Sequence, residues 1–136
     1  MQLIRLVYYS HCQLSNEADL ENILASARRN NARNKITGAL WFDGDYFVQA
    51  LEGGRRAVSQ TYHAIAADPR HSDIELVSCG TVDTRSFHTW KMGYFADTTE
   101  NRALVLKHSG SDKLEPRNLA DSGLLKILAE GELAGS

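Results

Sequence analysis

The run from Phe47 to Gly53 is the stretch of this sequence that says most about the fold. It reads as a buried strand, and the Asp43-Gly44-Asp45 turn before it is typical of a tight β-hairpin. Gln49 lies in the middle of the run, and a buried carboxamide without hydrogen-bond partners costs about 1–3 kcal/mol. We therefore expect a partner for Gln49 inside the protein: backbone, water, another side chain or a polar ligand against the sheet.

A second strand-like run, from Leu3 to Ser10, carries the phenol of Tyr8 in a similar setting. On neighbouring strands, Tyr8 and Gln49 would form a polar pair that faces a ligand containing heteroatoms. Tyr8 alone is equally well explained as a core residue with its hydroxyl at a polar edge. Trp90 and Met92 alone are also explained as core residues.

Helical and strand-like patterns alternate along the chain in the order β-α-β-β-α-β-β, the ferredoxin-like pattern of the α+β class with one strand added. Right-handed crossovers would place both helices on one face of the sheet, with a ligand between them and above the central strands. The predicted strands span residues 3–9, 38–42, 46–52, 75–82 and 91–95, and the predicted helices span residues 17–30 and 55–67.

Strand alternation separates the two faces of this sheet. The helix-covered face would carry Ile4, Leu6, Tyr8, Phe47, Gln49 and Leu51. The other face would carry Leu3, Val7, Tyr9, Val48 and Ala50, which is too apolar to be left bare. We expect two short C-terminal helices within residues 96–136, or a second subunit, to cover it.

Composition excludes several classes of protein. A net charge of −2 over 136 residues gives no basic footprint for nucleic acid, and no apolar run approaches the length of a membrane span. The N-terminus enters a strand directly, without a secretory leader. Cys12 and Cys79 lack metal-ligand spacing and are expected to be reduced thiols, so we expect a cytoplasmic protein. The five histidines show neither metal spacing nor a nucleophile–base arrangement.

Two polar groups keep a structural and a functional interpretation open. Asn30-Asn31 lies at the C-terminal end of the first predicted helix, where Asn is tolerated as a C-cap; the alternative is amide recognition of a planar heterocycle, and the cap is favoured without further context. His71 comes after Asp68-Pro69-Arg70 at the end of the second helix, so it would either have a capping or surface role or contact a ligand. The residues alone do not name the ligand.

Six motifs occur in an order and spacing that resemble the BLUF family, bacterial blue-light sensors that bind FAD. The resemblance covers residues 2–95, and the tail around Leu106-Lys107-His108-Ser109-Gly110 is similar to that of short, single-domain members. The motifs are Arg5-Leu6-Val7-Tyr8, Arg29-Asn30-Asn31-Ala32-Arg33, Ile36-Thr37-Gly38-Ala39-Leu40, Phe47-Val48-Gln49-Ala50-Leu51-Glu52-Gly53, Asp68-Pro69-Arg70-His71 and Phe87-His88-Thr89-Trp90-Lys91-Met92.

The resemblance implies a site for FAD, for which FMN or riboflavin could substitute. Tyr8 would be the photoactive tyrosine, Gln49 the glutamine that bridges it to the flavin N5/O4 edge, and Trp90 and Met92 the residues that exchange places near that glutamine. The other implied contacts are Asn30, Asn31, Asp68, Arg70 and His71, with Ile23, Leu24, Ile36 and Ile65 as walls of the ring pocket. Ala27 and Ala64 depart from the family's usual polar residues.

The mechanism implied by the family is light-driven transfer of an electron and a proton from Tyr8 to the ring, followed by rotation or tautomerisation of Gln49. The resemblance thus implies a sensor, not an enzyme, with a flavin-binding domain over residues 1–96 and a helical extension over 97–136. Its partners would be FAD, a second copy in a dimer or larger homo-oligomer, and a downstream signalling protein. A flavin-dependent reductase and a non-photoactive interaction module remain the alternatives.

Overall fold

The computed structural model describes residues 2–12, 14, 16–42, 44–87, 92–96, 98–109 and 128. It confirms the α+β, ferredoxin-like order with one strand added. The elements are β1 (Leu3–Cys12), α1 (Glu17–Asn34), β2 (Thr37–Phe42), β3 (Tyr46–Gly54), α2 (Arg55–Ala66), β4 (His71–Thr81), β5 (Gly93–Ala96) and α3 (Thr99–Ser109).

The sheet has five strands in the order β4-β1-β3-β2-β5. All neighbouring strands run antiparallel except β2 and β5, which are parallel. The two central strands pair so that Tyr8 lies directly opposite Gln49, and Leu40 lies opposite Gln49 on the other side. The register therefore brings the phenol and the carboxamide together at the centre of the sheet.

Helix α1 is four residues longer than its predicted end at Asn30. Asn16 caps its start, because its side chain accepts a hydrogen bond of 3.1 Å from the backbone N–H of Asp19. The C-cap is Lys35, whose left-handed backbone (φ 57°) directs its N–H to the carbonyl of Asn31. The interpretation of Asn30-Asn31 as the C-cap is therefore wrong, and both residues are inside the helix.

Strand β4 begins at His71, four residues before its predicted start at Glu75. Its pairing with β1 is irregular: the register shifts between Tyr9 and His11, and Asp73 adopts a positive φ of 50° in the same stretch. A bulge of this kind accommodates an extra residue and re-aims its neighbours. The polar sequence there therefore remains a strand and does not become a loop.

The two faces of the sheet carry separate cores, divided as the strand alternation predicts. The face under α1 and α2 holds Ile4, Leu6, Tyr8, Leu24, Ile36, Leu40, Phe47, Leu51, Val58 and Met92. The other face holds Val7, Tyr9, Ala39, Trp41, Val48, Ala50, Phe87, Phe95, Val105 and Leu128.

Helix α3 contributes to the cover of this second core through Val105, which is fully buried. The expected first C-terminal helix is thus present and packs on the predicted face. The second lies outside the described residues apart from Leu128, which is buried in the same core. Within the described ranges, no helix has the length and apolar character needed to cross a membrane.

Candidate functional site

A cavity of about 330 Å³ lies between α1, α2 and the centre of the sheet. This volume is within the range of small-molecule sites, which combine apolar walls with a few polar groups that fix the ligand's orientation. Its walls are formed by Tyr8, Ile23, Ser26, Ala27, Asn30, Asn31, Asn34, Leu40, Phe47, Gln49, Leu51, Ala57, Gln60, Thr61, Ala64, Ile65, Asp68, Arg70 and His71.

The floor of the cavity contains a buried polar pair. Tyr8 and Gln49 are 1% and 5% exposed, and the Tyr8 hydroxyl donates a hydrogen bond to Gln49 Oε1. Gln49 Nε2 in turn donates to Met92 Sδ at 3.5 Å. The amide thus connects the phenol to the segment that enters β5.

Burial raises the pKa of the Tyr8 hydroxyl well above its ordinary value, and the neighbouring Tyr62 and Asp68 add to this by disfavouring a second negative charge. The ring of Tyr62 meets that of Tyr8 edge-on at 5.6 Å between centroids. Tyr8 is consequently a neutral phenol whose proton is held on the hydrogen bond to Gln49.

The extension of α1 places a row of amides along one wall. Ala27, Asn30, Asn31 and Asn34 follow helical spacing and share the face turned to the cavity. Asn30 Nδ2 donates to Thr61 Oγ1 on α2 at 3.2 Å, and Asn34 Nδ2 donates to Asn30 Oδ1 at 2.9 Å. The contact between Asn30 and Thr61 ties the two helices together beside the cavity, and the contact between Asn34 and Asn30 lies within α1.

Asp68 and Arg70 form an ion pair where the chain turns from α2 into β4. Arg70 Nη2 lies 2.6 Å from Asp68 Oδ2, and the Arg70 backbone N–H donates to Asp68 Oδ1 at 2.9 Å. The hydrogen bonds from the Arg70 side chain lower the pKa of the Asp68 carboxyl, against the opposing effect of partial burial. Asp68 also raises the pKa of the Arg70 guanidinium. A fixed carboxylate and a fixed cation therefore line this end of the cavity.

His71 follows directly and packs its ring 4.8 Å from that of Phe47. Its Nδ1 lies 2.6 Å from Ser10 Oγ. Burial lowers the pKa of the imidazole below its ordinary value, and the charge of Arg70 acts in the same direction, while Asp68 opposes it. The ring is therefore neutral at neutral pH.

A second polar cluster, outside the cavity, holds the chain that leads to Met92. Glu52 is fully buried and pairs with Arg5 at 2.8 Å. Its two carboxylate oxygens also accept hydrogen bonds from the backbone N–H groups of Ser86 and Phe87, at 2.9 Å and 2.8 Å. This cluster fixes the backbone of Ser86 and Phe87, a few residues before Met92 in the sequence.

Most of the residues expected at the site line the cavity, namely Tyr8, Ile23, Asn30, Asn31, Gln49, Ile65, Asp68, Arg70 and His71. Leu24 and Ile36 lie instead in the core packed on the same face of the sheet and do not form part of the cavity wall. Met92 reaches the site through Gln49. Trp90 lies outside the described residues.

Sequence reasoning missed several wall residues: Ser26, Asn34, Leu40, Phe47, Leu51, Ala57, Gln60 and Thr61. Helical spacing could have found two of them, because Asn34 lies one turn after Asn30 and Thr61 one turn before Ile65. Strand alternation places Phe47 and Leu51 on the same face as Gln49, although neither is among the site residues predicted from the sequence. Glu52 gave no signal as an anchor, because its partners come from a distant loop.

The sequence matches over residues 3–93 the family described as sensors of blue-light using FAD. Among curated proteins, the blue light- and temperature-regulated antirepressor BluF of Escherichia coli is 36% identical over 106 residues. The beta subunit of the photoactivated adenylate cyclase of Euglena longa is 36% identical over 86 residues. The chain covers 26% and 10% of these relatives, and the matches involve 77% and 62% of its own length.

Comparison with solved structures leads to the same family. BlsA in its photo-activated state superposes with a TM-score of 0.88 at 31% identity, over 98% of this chain and 99% of that one. BlrB in its dark state superposes with a TM-score of 0.81 at 32% identity, over 95% and 96%. Klebsiella pneumoniae BlrP1, described with FMN and cyclic diGMP, matches 70% of this chain and 26% of its own, at 31% identity with a TM-score of 0.65. The chain therefore belongs to the BLUF family of flavin-binding blue-light sensors.

Proposed function

We propose that this protein is a blue-light photoreceptor that holds FAD non-covalently in the cavity between α1, α2 and the sheet, with Tyr8 and Gln49 as its photoactive pair. The observation that carries the proposal is the buried hydrogen bond from the Tyr8 hydroxyl to Gln49 Oε1 in the wall of that cavity. A polar pair buried at the base of a ligand cavity is where a chromophore can act on the protein.

The residues present fit a flavin. Its ring system is planar and apolar on its faces, with carbonyl oxygens and an imide N–H at one edge. The cavity offers apolar walls from Ile23, Leu40 and Ile65, and its amides supply both donors and acceptors. The small side chains of Ala27 and Ala64 leave room beside them. FAD is the ligand named for the family, and FMN or riboflavin would present the same ring.

A bound flavin supplies the blue-light absorber and, once excited, an acceptor for an electron and a proton. Tyr8 is the donor of both in our proposal. Because burial raises the pKa of its phenol, Tyr8 still carries the proton when light is absorbed. Gln49 Oε1 already accepts the phenolic hydrogen bond, so the amide lies on the path that this proton takes.

Reversal of the Gln49 side-chain amide costs little free energy on the side that faces Met92. Its Nε2 faces Met92 Sδ, and a thioether is only a weak acceptor. Rotation or tautomerisation of the amide therefore forfeits little at Met92, while it replaces the acceptor that Gln49 presents to Tyr8 by a donor. When a buried amide with few partners reverses, its hydrogen bonds to all of those partners change.

The output in our proposal passes through Met92. This residue directly precedes β5, and α3 follows β5 and packs on the opposite face of the sheet through Val105. A shift of Met92 would change how the region after residue 96 packs. We propose that residues 1–96 form the flavin unit and 97–136 a helical extension, which alters homo-oligomer contacts or binds a downstream signalling protein.

The test is an absorbance measurement on the purified chain after separate reconstitution with FAD, FMN and riboflavin. We expect a yellow protein whose flavin bands shift reversibly to longer wavelength after blue light, with FAD bound at least as tightly as the other two. A preparation that stays colourless with all three flavins, or whose spectrum ignores illumination, contradicts the proposal. Bleaching by NAD(P)H in the dark would point to a reductase.

A further inference from the structure

Ser10 is a buried hydroxyl that the proposed photochemistry does not use. It is two residues after Tyr8 on β1, so alternation places it on the same face of the sheet, and it pairs with Phe47 across the strands. Its exposure is 0%, and it is not part of the cavity wall. A fully buried hydroxyl needs a partner, because an unsatisfied polar group is unfavourable in the interior.

That partner is His71. Ser10 Oγ lies 2.6 Å from His71 Nδ1, and this is the only hydrogen bond of the Ser10 side chain to the part of the chain that the structure describes. His71 does line the cavity, where its ring is wedged between Phe47 at 4.8 Å and Tyr8 at 6.2 Å. Ser10 therefore reaches the cavity only through the imidazole.

The direction of this hydrogen bond follows from the donors and acceptors available. A hydroxyl has one proton to donate and two lone pairs, and a neutral imidazole has one N–H and one bare nitrogen. If Nδ1–H donated to Ser10, the serine proton would remain buried with no acceptor among the described residues, which is unfavourable. If Ser10 donates to Nδ1, that proton is satisfied and the imidazole proton resides on Nε2.

We propose that Ser10 is a positioning residue that donates to His71 Nδ1 and so holds His71 in the Nε2–H tautomer, which presents an N–H donor to an acceptor oxygen of the flavin. This inference rests on the proposed function for the identity of the ligand, whereas the tautomer itself does not depend on it. Nε2 makes no hydrogen bond to the described residues, so it is the polar atom of His71 that a ligand can meet. The burial that lowers the pKa of His71 keeps the ring neutral, as a single tautomer requires.

The direct test is ¹⁵N NMR of the histidine ring nitrogens in the wild-type chain, with and without FAD, with His71 assigned by the loss of its signals in His71→Asn. We expect a bare Nδ1 and a protonated Nε2 in both samples. A protonated Nδ1 in the FAD-bound sample overturns the proposal. Absorbance of the same samples reports separately on flavin binding and the red shift, so a protein that never takes up flavin refutes the proposed function and not the tautomer.

Variants test whether Ser10 sets this state. Ser10→Ala should mix the two tautomers and weaken FAD binding by about three- to tenfold, the loss expected for one hydrogen bond. Ser10→Thr keeps the hydroxyl and should retain the single tautomer. Ser78→Ala makes the same change on β4, opposite Val7, and should leave FAD affinity unchanged. A folded Ser10→Ala variant with the wild-type tautomer and affinity overturns the proposal.

Discussion

Arg28 on α1 binds the main-chain carbonyl of Met92 through two donors, Nε and Nη2, each at 3.2 Å. The side chain of the same Met92 accepts from Gln49 Nε2. Met92 is thus held at its main-chain carbonyl by α1, a helix of the cavity wall, and at its side chain by Gln49, the proposed photoactive amide. A movement of Met92 that includes its main chain would therefore break or stretch the contact with Arg28.

The first prediction concerns that contact. Arg28→Ala should lower the free energy of unfolding by about 0.5–1.5 kcal/mol and speed hydrogen exchange of the amides at residues 92–96 in the dark. Arg29→Ala, on the next and exposed position of α1, is the control and should change neither quantity. Equal exchange rates in the two variants would show that Arg28 does not restrain Met92.

The second prediction concerns the buried carboxylate of Glu52. In the wild-type protein, the Glu52 carboxylate pairs with Arg5 and accepts hydrogen bonds from two backbone N–H groups. Glu52→Gln removes this negative charge. Breaking a buried ion pair costs about 3–5 kcal/mol. Because the Arg5 side chain keeps 19% exposure, we expect a smaller loss of about 2–3 kcal/mol of unfolding free energy by chemical denaturation. Glu75→Gln, on an exposed position of β4, should cost less than about 0.5 kcal/mol.

The third prediction separates flavin binding from photochemistry. Tyr8→Phe removes the phenolic donor and leaves Gln49 Oε1 buried without it, so we expect a loss of stability of about 1–3 kcal/mol. The variant should still bind flavin but show no reversible red shift. Tyr62→Phe removes a hydroxyl from the ring that meets Tyr8 edge-on, and its red shift should persist. A red shift retained in Tyr8→Phe would refute the role given to Tyr8.

The fourth prediction is a pH dependence of stability. Because burial lowers the pKa of His71 below its ordinary 6.5, the unfolded chain binds the proton more readily than the folded one. The contribution of His71 is complete above pH 6.5 and is lost as the pH falls from there through the lowered pKa. It amounts to at most about 1.4 kcal/mol per pH unit.

Denaturation at several pH values between about 5 and 7.5, a range that spans the reference pKa of histidine, measures this contribution. His71→Gln should flatten the decline of stability toward low pH, and His63→Gln, on the exposed side of α2, should leave it unchanged. Hydrogen bonds from Arg70 lower the pKa of Asp68, so the stability that this carboxyl contributes is complete above pH 3.8 and is lost only below it, outside the window.

The fold and the central polar pair could be predicted because they depend on local patterns. Period-two alternation in β1 and β3, together with the hairpin signal before Tyr46, is sufficient to assign the faces of both strands. The facing of Tyr8 and Gln49 then follows from strand order. Neither step requires knowledge of contacts made by distant loops.

The end of α1 and the start of β4 could not be predicted, because each depends on contacts or backbone conformations that the sequence pattern does not indicate. The polar run after Asn30 resembles a helix stop, yet the helix continues because Asn34 bonds Asn30 and Lys35 provides the left-handed cap. The early start of β4 requires a positive φ at Asp73, which no local signal predicted. In the sequence, Glu52 is a carboxylate at the end of a predicted strand. Its hydrogen bonds from the backbone of Ser86 and Phe87 are not predictable, because those residues are distant in the sequence.

The shortness of β5 has a mechanical consequence. Its four residues pair with β2 alone at the margin of the five-stranded sheet, whereas β3 is bonded along both sides. Few main-chain hydrogen bonds hold such a strand in the sheet. We therefore expect β5 to shift or open at a lower free-energy cost than the central strands. A disturbance as small as one reversed amide can be absorbed there while the rest of the sheet keeps its shape.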